Sequence, residues 1–201
     1  MISALDFIEQ VKTENWSSVP VGKRVAIIGA GNTSIDAATE AKRLGAEEVI
    51  VLYRRSSQDM SAYNFEFDLA KKDGIIFHFL TAPRNIVGKN FVEGIECIRM
   101  EPGQPDSKGK RSVLPVPGTE FIIPVDMVIK AIGQEAQNDF ISSIPDIKFD
   151  SGKIQINTDS FQTGNPKVFA GGDCINGGKE VVNAAYDGKM AAYGIDKFLN
   201  N

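Results

Sequence analysis

Histidine and cysteine are nearly missing from this chain, and their scarcity removes whole classes of chemistry. There is one histidine, His78, and the two cysteines, Cys97 and Cys174, lie 77 positions apart with no Cys or His at metal-ligand spacing. A zinc site or an iron–sulfur cluster carried by these residues alone is therefore not expected. Ser-His-Asp or Cys-His catalysis would both have to use His78, which sits in the apolar run IIFHFL with no supporting motif. A packed or edge-strand histidine is the expectation, and a catalytic one is not. Long apolar runs are missing too. None approaches the roughly 18 residues of a membrane helix, and no basic stretch with an apolar core opens the chain, so the expected address is the cytoplasm with no membrane contact. Nor is there a long basic run: 22 Lys and Arg against 26 Asp and Glu leave a net charge of −4, which argues against nucleic acid as a partner. What remains is an ordinary globular composition, 42% hydrophobic and 24% charged over 201 residues. That is enough for one domain plus a smaller piece, or two small domains.

Leu5, Ile8 and Val11 are spaced for a short amphipathic helix, followed by a linker over Asn15 to Pro20. From Lys23 the pattern alternates strand and helix. RVAIIG (24–29) is a continuous β-branched run, NTSIDAATEAKRLG (32–45) reads as a helix stopped by Gly45, and EVIVLYRR (48–55) is a second buried strand. A helix over 56–74, closed by Gly74, and a third strand over 75–80 complete the rhythm. Strands alternating with helices predict an α/β fold with a Rossmann-like, doubly wound parallel sheet. After Pro83, the segments 85–100, 102–110 and 120–133 read as strands and polar turns, an antiparallel β flap inserted before the last parallel strand. A variable stretch from Gln134, short strands at KIQIN (153–157) and VFAGG (168–172), and a helix from about Lys179 to Leu199 make up the remainder.

Gly29-Ala30-Gly31-Asn32-Thr33-Ser34 stands directly after a predicted strand and before a predicted helix. In that setting Gly29 permits the tight turn, Gly31 lets a pyrophosphate approach the backbone, and the small Ser34 keeps helix and strand close. The pyrophosphate would meet free N–H groups at the positive end of the helix dipole. The bland alternative is a glycine turn that only closes a βα unit. At the end of the second strand, where an NAD-binding fold usually carries Asp or Glu, this sequence has Tyr53-Arg54-Arg55. Two guanidinium groups suit a ribose 2′-phosphate, and one charge-assisted contact of about 1.5–3 kcal/mol would favour NADPH over NADH by about tenfold to a hundredfold. The alternative is an exposed basic strand end paired with Glu47, Glu48 or Asp59.

VFAGGDCINGGKEVVNAAYDGKMAA (168–192) combines a strand, a Gly-Gly-Asp turn, a glycine-rich loop and a helix of small residues. Asp173 can accept from a sugar or ribityl hydroxyl, and the helix start near Glu180 and Val181 can aim N–H groups at an electron-rich ring edge. A tightly packed βα turn explains the same residues.

GAGNTSIDAA, VLYRRS followed by MSAY, FHFLTAP, VIKAIGQ and the 168–192 stretch together resemble the NAD(P)H-dependent flavoprotein subunits typified by the small subunit of glutamate synthase. FHFLTAP through VEGIECIRM, and above all GGDCINGGKEVVNAAYDGK, look closest to the NAD(P)H/FAD subunit of dihydropyrimidine dehydrogenase. The resemblance covers nearly the whole chain. It implies an NADPH domain inserted within an FAD domain. On that basis residues 1–20 are a crossover helix and linker, 21–133 the NAD(P)H-binding domain, and 134–201 the C-terminal portion of an incomplete FAD-binding domain. It carries Gly29, Gly31, Asn32, Thr33 and Ser34 to the pyrophosphate and Arg54 and Arg55 to the 2′-phosphate. Ala131, Ile132 and Gly133 go to the return crossing near the nicotinamide nucleotide, and Gly172, Asp173, Glu180 and Val181 to the flavin. The family's first GxGxxG and its cluster-binding cysteines do not occur in this sequence, and Ser61 stands where the family often has Pro. The chain is therefore expected to be a fragment or the C-terminal product of a split gene, with half of the FAD site.

The function implied is an oxidoreductase component that passes hydride from NADPH to FAD and on to an acceptor subunit, without a dedicated acid–base residue. Its partners would be a chain or segment carrying the N-terminal half of the FAD domain and iron–sulfur clusters, and an acceptor catalytic subunit. A non-catalytic NADP(H)-binding module is the competing reading, and a structural subunit completing a partner's flavin site is a third.

Overall fold

A computed structural model describes residues 1–105, 111–133 and 138–200. The tip of the polar loop expected over 102–110 and the start of the variable stretch at Gln134 lie outside the described residues. The chain divides into two compact units, Met1–Ile132 and Gly133–Asn201.

The first unit opens with strand β1 (Ile2–Ser3) and helix α1 (Ala4–Thr13), capped by the Ser3 hydroxyl, which accepts from the Leu5 N–H. Strand β2 (Arg24–Ile28), helix α2 (Asn32–Arg43), strand β3 (Glu48–Leu52), helix α3 (Asn64–Lys72) and strand β4 (Ile76–His78) follow. Strands β5 (Thr81–Val87), β6 (Gly94–Pro105), β7 (Arg111–Pro115) and β8 (Phe121–Ile123) form an antiparallel sheet in which β6 pairs with the other three. Strand β9 (Met127–Lys130) then returns to the first sheet, whose order β1-β9-β2-β3-β4 is parallel throughout. This is the predicted parallel α/β fold, with the flap between β4 and β9 in chain order.

The continuous apolar runs are explained by burial on both faces of the parallel sheet. Val25, Ile27, Val49, Val51 and Ile129 pack against Phe7 and Val11 of α1, Ile35 and Ala38 of α2, and Ala70 of α3. On the other face Ala26, Ile50, Leu52 and Val128 pack against Ile95, Cys97, Ile123 and Val125 from the flap and its return. The layers are thus helices, parallel sheet, antiparallel sheet. Helices α2 and α3 both end in Schellman motifs. Gly45 at φ +106° donates to the Lys42 carbonyl while Ala46 donates to Ala41, and Gly74 at φ +82° donates to Lys71 while Ile75 donates to Ala70.

Several expected elements are shorter in the structure, among them the strand over 48–55, which stops at Leu52. The stretch 56–74 is not one helix: a 3-10 turn at Ser57–Asp59 closes on itself through the Ser56–Asp59 capping box, and α3 begins only at Asn64. The strand over 75–80 stops at His78, because Leu80 takes φ +49° and turns its carbonyl to the Met100 N–H of the flap. Strands at 153–157 and 168–172 are also cut back. In the second unit, α4 (Asn138–Ser142) precedes a two-residue hairpin of β10 (Phe149–Asp150) and β11 (Lys153–Ile154), and Phe169 makes one isolated bridge to Gln162. A strand extends only as far as its ladder partner, and these partners are short. The short helix α5 (Asp173–Asn176) and the long α6 (Val181–Leu199) complete this unit.

Burial raises the Cys97 thiol to about 11, whereas Cys174 is exposed. Because the thiolate is the reactive form, a thiol reagent at pH 8 is expected to label one cysteine of the folded chain, Cys174, and both only after denaturation. Rapid native labelling of both thiols, read by mass spectrometry, would contradict this packing.

Candidate functional site

The parallel sheet reverses its strand order at β2: the chain steps outward to β3 and β4, then returns to β9 on the other side. In open α/β sheets, ligands bind outside the carboxyl ends of the strands at such a switch point. The glycine turn lies there. Gly29 adopts φ +125°, and its N–H donates to the Leu52 carbonyl at 3.0 Å. A Cβ on Gly29 would stand 2.1 Å from the Ala131 carbonyl oxygen and 2.9 Å from Ser34 Oγ. Ala131 in turn donates its N–H to Ile28 at 2.8 Å, and the fully buried Ser34 hydroxyl lies 3.4 Å from that same Ala131 oxygen. The turn, the start of α2 and the end of β9 are therefore one packed unit.

Gly31 is the N-cap of α2, with extended backbone (φ −94°, ψ 177°), no side-chain cap and no acidic residue in the first turn. The N–H groups of Gly31, Asn32 and Thr33 have no acceptor among the described residues. Unfilled donors at a dipole's positive end, with no carboxylate to neutralise them, are what an anion requires. The Asn32 side chain does something its sequence position did not reveal: its Oδ1 accepts the Tyr63 N–H at 3.1 Å.

The register Ile28↔Leu52 places Tyr53-Arg54-Arg55 just past the end of β3, beside the glycine turn. The backbone here is tied to the bend after β4. Tyr53 donates to His78, Leu80 donates to Arg55 and Thr81 donates to Tyr53, each at 3.0 Å. Neither Arg54 nor Arg55 takes part in a salt bridge among the described residues, while Glu47 is paired with Lys23. Asp59 is held by Ser56, whose hydroxyl is the main reason its carboxyl stays below the usual range; the field of Arg55 contributes least. The pairing of the arginines with Glu47, Glu48 or Asp59 is thus not what the side chains adopt. The Tyr53 hydroxyl donates to the Asp59 carbonyl at 2.8 Å, and burial raises the phenol above its ordinary value.

In the second unit Gly172 (φ +77°) caps α5, and its N–H donates to Asp187 Oδ2 at 3.0 Å. Asn176 Nδ2 donates to the same oxygen at 3.3 Å. Asp187 was not singled out from the sequence, although a lone carboxylate inside the small-residue helix NAAYDGK is the signal that marks it. Gly171 is equally constrained, since a Cβ there would meet Asp187 Cβ at 3.0 Å. Asp173 is exposed, and its Oδ1 accepts the Lys179 N–H at 3.3 Å. Glu180 is the N-cap of α6 in a capping box with Asn183, and Val181 is 81% exposed.

Of the remaining candidates, Ala131 is partly buried against the core of the first unit, Ile132 is 68% exposed, and Gly133 (φ +114°) has open space around it. His78 lies half-buried on the edge strand β4. Burial, reinforced by Arg99, holds its pKa below the usual value. No group of three or more His, Cys, Asp or Glu among the described residues is arranged to hold a metal ion, and no described helix is long and apolar enough to cross a membrane.

A glycine turn at the switch point of a parallel sheet defines a dinucleotide-binding fold. The profile of the pyridine nucleotide-disulphide oxidoreductases matches residues 3–188, and the chain belongs to that family, whose members are enzymes that bind FAD and NADP(H). The chain is 40% identical over 199 residues to the NADP(+)-dependent formate dehydrogenase subunit beta of Moorella thermoacetica, covering 98% of this chain and 28% of that protein. It is 38% identical over 184 residues to the glutamate synthase [NADPH] small chain of Escherichia coli K12, covering 89% of this chain and 39% of that protein. The NADPH-Fe(3+) oxidoreductase subunit beta of Geobacter sulfurreducens is 36% identical over 211 residues, covering 89% and 30%. The chain thus spans well under half the length of these relatives. Among solved structures, T. acidophilum thioredoxin reductase shares the fold at a TM-score of 0.72 and 24% identity, over 89% of this chain and 53% of that one. Mycobacterium tuberculosis FprA in complex with NADPH does so at 0.67 and 20%, over 100% and 59%.

The two glycines of the turn are expected to respond differently to the same substitution. Gly29→Ala forces a side chain against a backbone carbonyl at positive φ and should destabilise the fold by at least about 1–3 kcal/mol. Gly31→Ala, with an ordinary φ, should leave the melting temperature nearly unchanged. Equal melting temperatures for the two variants would refute the close packing of Gly29 and Ala131.

Proposed function

We propose that this chain is the NADPH-binding part of a flavin oxidoreductase and that it passes hydride from NADPH toward FAD. The observation that carries the reading is the juxtaposition, on adjacent strand ends, of backbone donors at Gly31–Thr33 and two guanidinium groups, neither set filled by a hydrogen-bond acceptor or salt-bridge partner among the described residues. The pyrophosphate would take the amides, and the 2′-phosphate would take Arg54 and Arg55. Ala131, Ile132 and Gly133, where the chain leaves β9, are proposed to lie along the nicotinamide nucleotide. When bound, the two cofactors supply the redox chemistry, a two-electron hydride transfer from dihydronicotinamide to flavin. The residues of this chain bind and orient; the transfer needs no side-chain acid or base.

For the flavin the chain offers some of the parts. Asp187 holds the Gly171-Gly172 turn, Asp173 presents its carboxylate at the surface, and the start of α6 at Glu180 and Val181 would face a ring edge, with the Val181 N–H as the donor because that of Glu180 is taken by Asn183 Oδ1. A second chain or segment that completes this site is favoured by one observation: α6 exposes Val181, Val182, Tyr186 and Tyr193 at 58–81%. We place the boundaries at residues 1–20 for a crossover segment, 21–133 for the NADPH domain and 134–201 for the partial FAD domain.

The acceptor would lie elsewhere in the complex, with iron–sulfur clusters and a catalytic subunit as the partners. Relatives of similar identity are named for formate, for glutamate synthesis and for ferric iron, so identity at this level does not fix the redox partner. A glutamate synthase-like role is supported by 38% identity over 89% of the chain. A dihydropyrimidine dehydrogenase-like role rests on the sequence resemblance of FHFLTAP through VEGIECIRM and of GGDCINGGKEVVNAAYDGK. A cytoplasmic address belongs to the same reading.

Replacing both Arg54 and Arg55 by Ala should raise the dissociation constant for NADPH about tenfold to a hundredfold and leave that for NADH unchanged. An unchanged NADPH-to-NADH ratio in equilibrium titrations would sink the 2′-phosphate assignment. The flavin part is read separately. A stoichiometric absorption band after FAD is added and the excess removed supports redox turnover on this chain; a colourless protein makes it a binding module that needs its partner.

A further inference from the structure

The segment that links the two phosphate sites runs as a strap across the mouth of the glycine turn. It is pinned at one end by the Tyr53 hydroxyl on the Asp59 carbonyl, at 2.8 Å. At the other end Ala62 donates its N–H to the Ala30 carbonyl at 3.3 Å, and Tyr63 donates to Asn32 Oδ1 at 3.1 Å. Ser61 is carried between these pins. The one atom within 4 Å of where a Gly31 side chain would begin is Ser61 Oγ, at 3.3 Å. The missing side chain of Gly31 thus leaves the Ser61 hydroxyl close to the start of α2, whose first N–H groups have no acceptor among the described residues. That hydroxyl is on an exposed residue and has no hydrogen-bond partner among the described residues, so it is open to a ligand.

Resting on the reading of the glycine turn as a pyrophosphate site, we propose that Ser61 is a further ligand of the dinucleotide pyrophosphate. Its hydroxyl donates to a phosphate oxygen from the side opposite α2. The backbone amides approach the phosphates from the helix and the Ser61 O–H approaches from the strap, so the two sets of donors close around the anion. The contribution falls on the portion that NADPH and NADH share, and it is independent of the 2′-phosphate held by the arginines.

The test is equilibrium titration of the full 201-residue chain and its Ser61→Ala, Ser61→Thr and Arg54→Ala/Arg55→Ala variants. The ligands are NADPH, NADH and adenosine 2′-monophosphate, which has no pyrophosphate. Ser61→Ala is expected to weaken NADPH and NADH alike, by about tenfold for one hydrogen bond to a charged group, and to leave adenosine 2′-monophosphate unchanged. Ser61→Thr, which keeps the hydroxyl, should stay close to the parent. If Ser61→Ala binds both dinucleotides as the parent does, the inference is overturned. If it weakens adenosine 2′-monophosphate by the same factor as NADPH, Ser61 acts by holding the strap and the proposal is equally overturned. Failure of the underlying reading looks different: the parent chain itself would bind neither dinucleotide, or Arg54→Ala/Arg55→Ala would leave the NADPH-to-NADH ratio untouched.

Discussion

The Ala131 carbonyl oxygen occupies the volume that any side chain on Gly29 would need. Much of the first unit follows from that contact. It allows β9 to run beside β2 through the end of both strands, in the register Ile28↔Lys130, so the returning chain meets the glycine turn rather than passing above it. It brings the buried Ser34 hydroxyl against the same carbonyl and sets where α2 begins. The positive φ of Gly29 is the cost of this arrangement, and only glycine adopts it without strain. The sheet's switch point, the turn and the helix terminus coincide because three backbone segments share a space with no side chain in it.

Charge is distributed around that point in a consistent way. Lys23, Lys71 and Arg84 each meet a carboxylate at about 3 Å, and Lys12 pairs with the buried Glu40, whereas Arg54 and Arg55 meet none among the described residues. Exposed pairs of this kind contribute roughly 0–1 kcal/mol each, so pairing the arginines would have added little stability. Leaving them unpaired keeps a positive field at one edge of a sheet in a chain whose net charge is −4. The uncapped start of α2 adds to the same field. A helix that began with Ser or Asp at its N-cap would be more stable by only roughly a few tenths of a kcal/mol, but it would have filled one of its own donors. Gly31 forgoes that stabilisation.

The parallel strands and α2 were legible because burial on both faces demands continuous β-branched runs, and because Gly45 and Gly74 mark helix ends with a conformation that few other residues accept. The glycine turn was legible for the same kind of reason, since its residues are constrained by backbone geometry that composition reveals. What the sequence hid depends on long-range hydrogen bonds. The stretch 56–63 has helical composition, yet the Ser56 hydroxyl and the amides of Ser56, Asp59, Ala62 and Tyr63 are committed to the turn at Ser56–Asp59 and to Ala30 and Asn32, some thirty residues earlier. Leu80 leaves its strand because a flap carbonyl–amide contact outweighs local preference, and no spacing within IIFHFL signals that. Asp187 was invisible as a site residue for a related reason: its partners Gly172 and Asn176 are 15 and 11 residues away, and only the fold of the α5 turn brings them to one oxygen.

Asp187 also explains why the second unit uses so much glycine where it does. A carboxylate that accepts from both a backbone N–H and an amide side chain holds the loop from two directions, and it must come close to do so. Gly171 and Gly172 give it that approach; a side chain on Gly171 would press on Asp187 itself. The same logic recurs at Gly194, where a Cβ would lie 1.9 Å from the Ser160 carbonyl oxygen, so the far end of α6 also approaches backbone closely, beside the edge-on contact of Phe198 with Phe169. Helix α6 is thus fixed at both ends by close backbone approach while most of its large apolar side chains remain outside the core of its own unit. A helix held this way keeps its position without consuming its apolar surface, and that surface stays free to pack against something else.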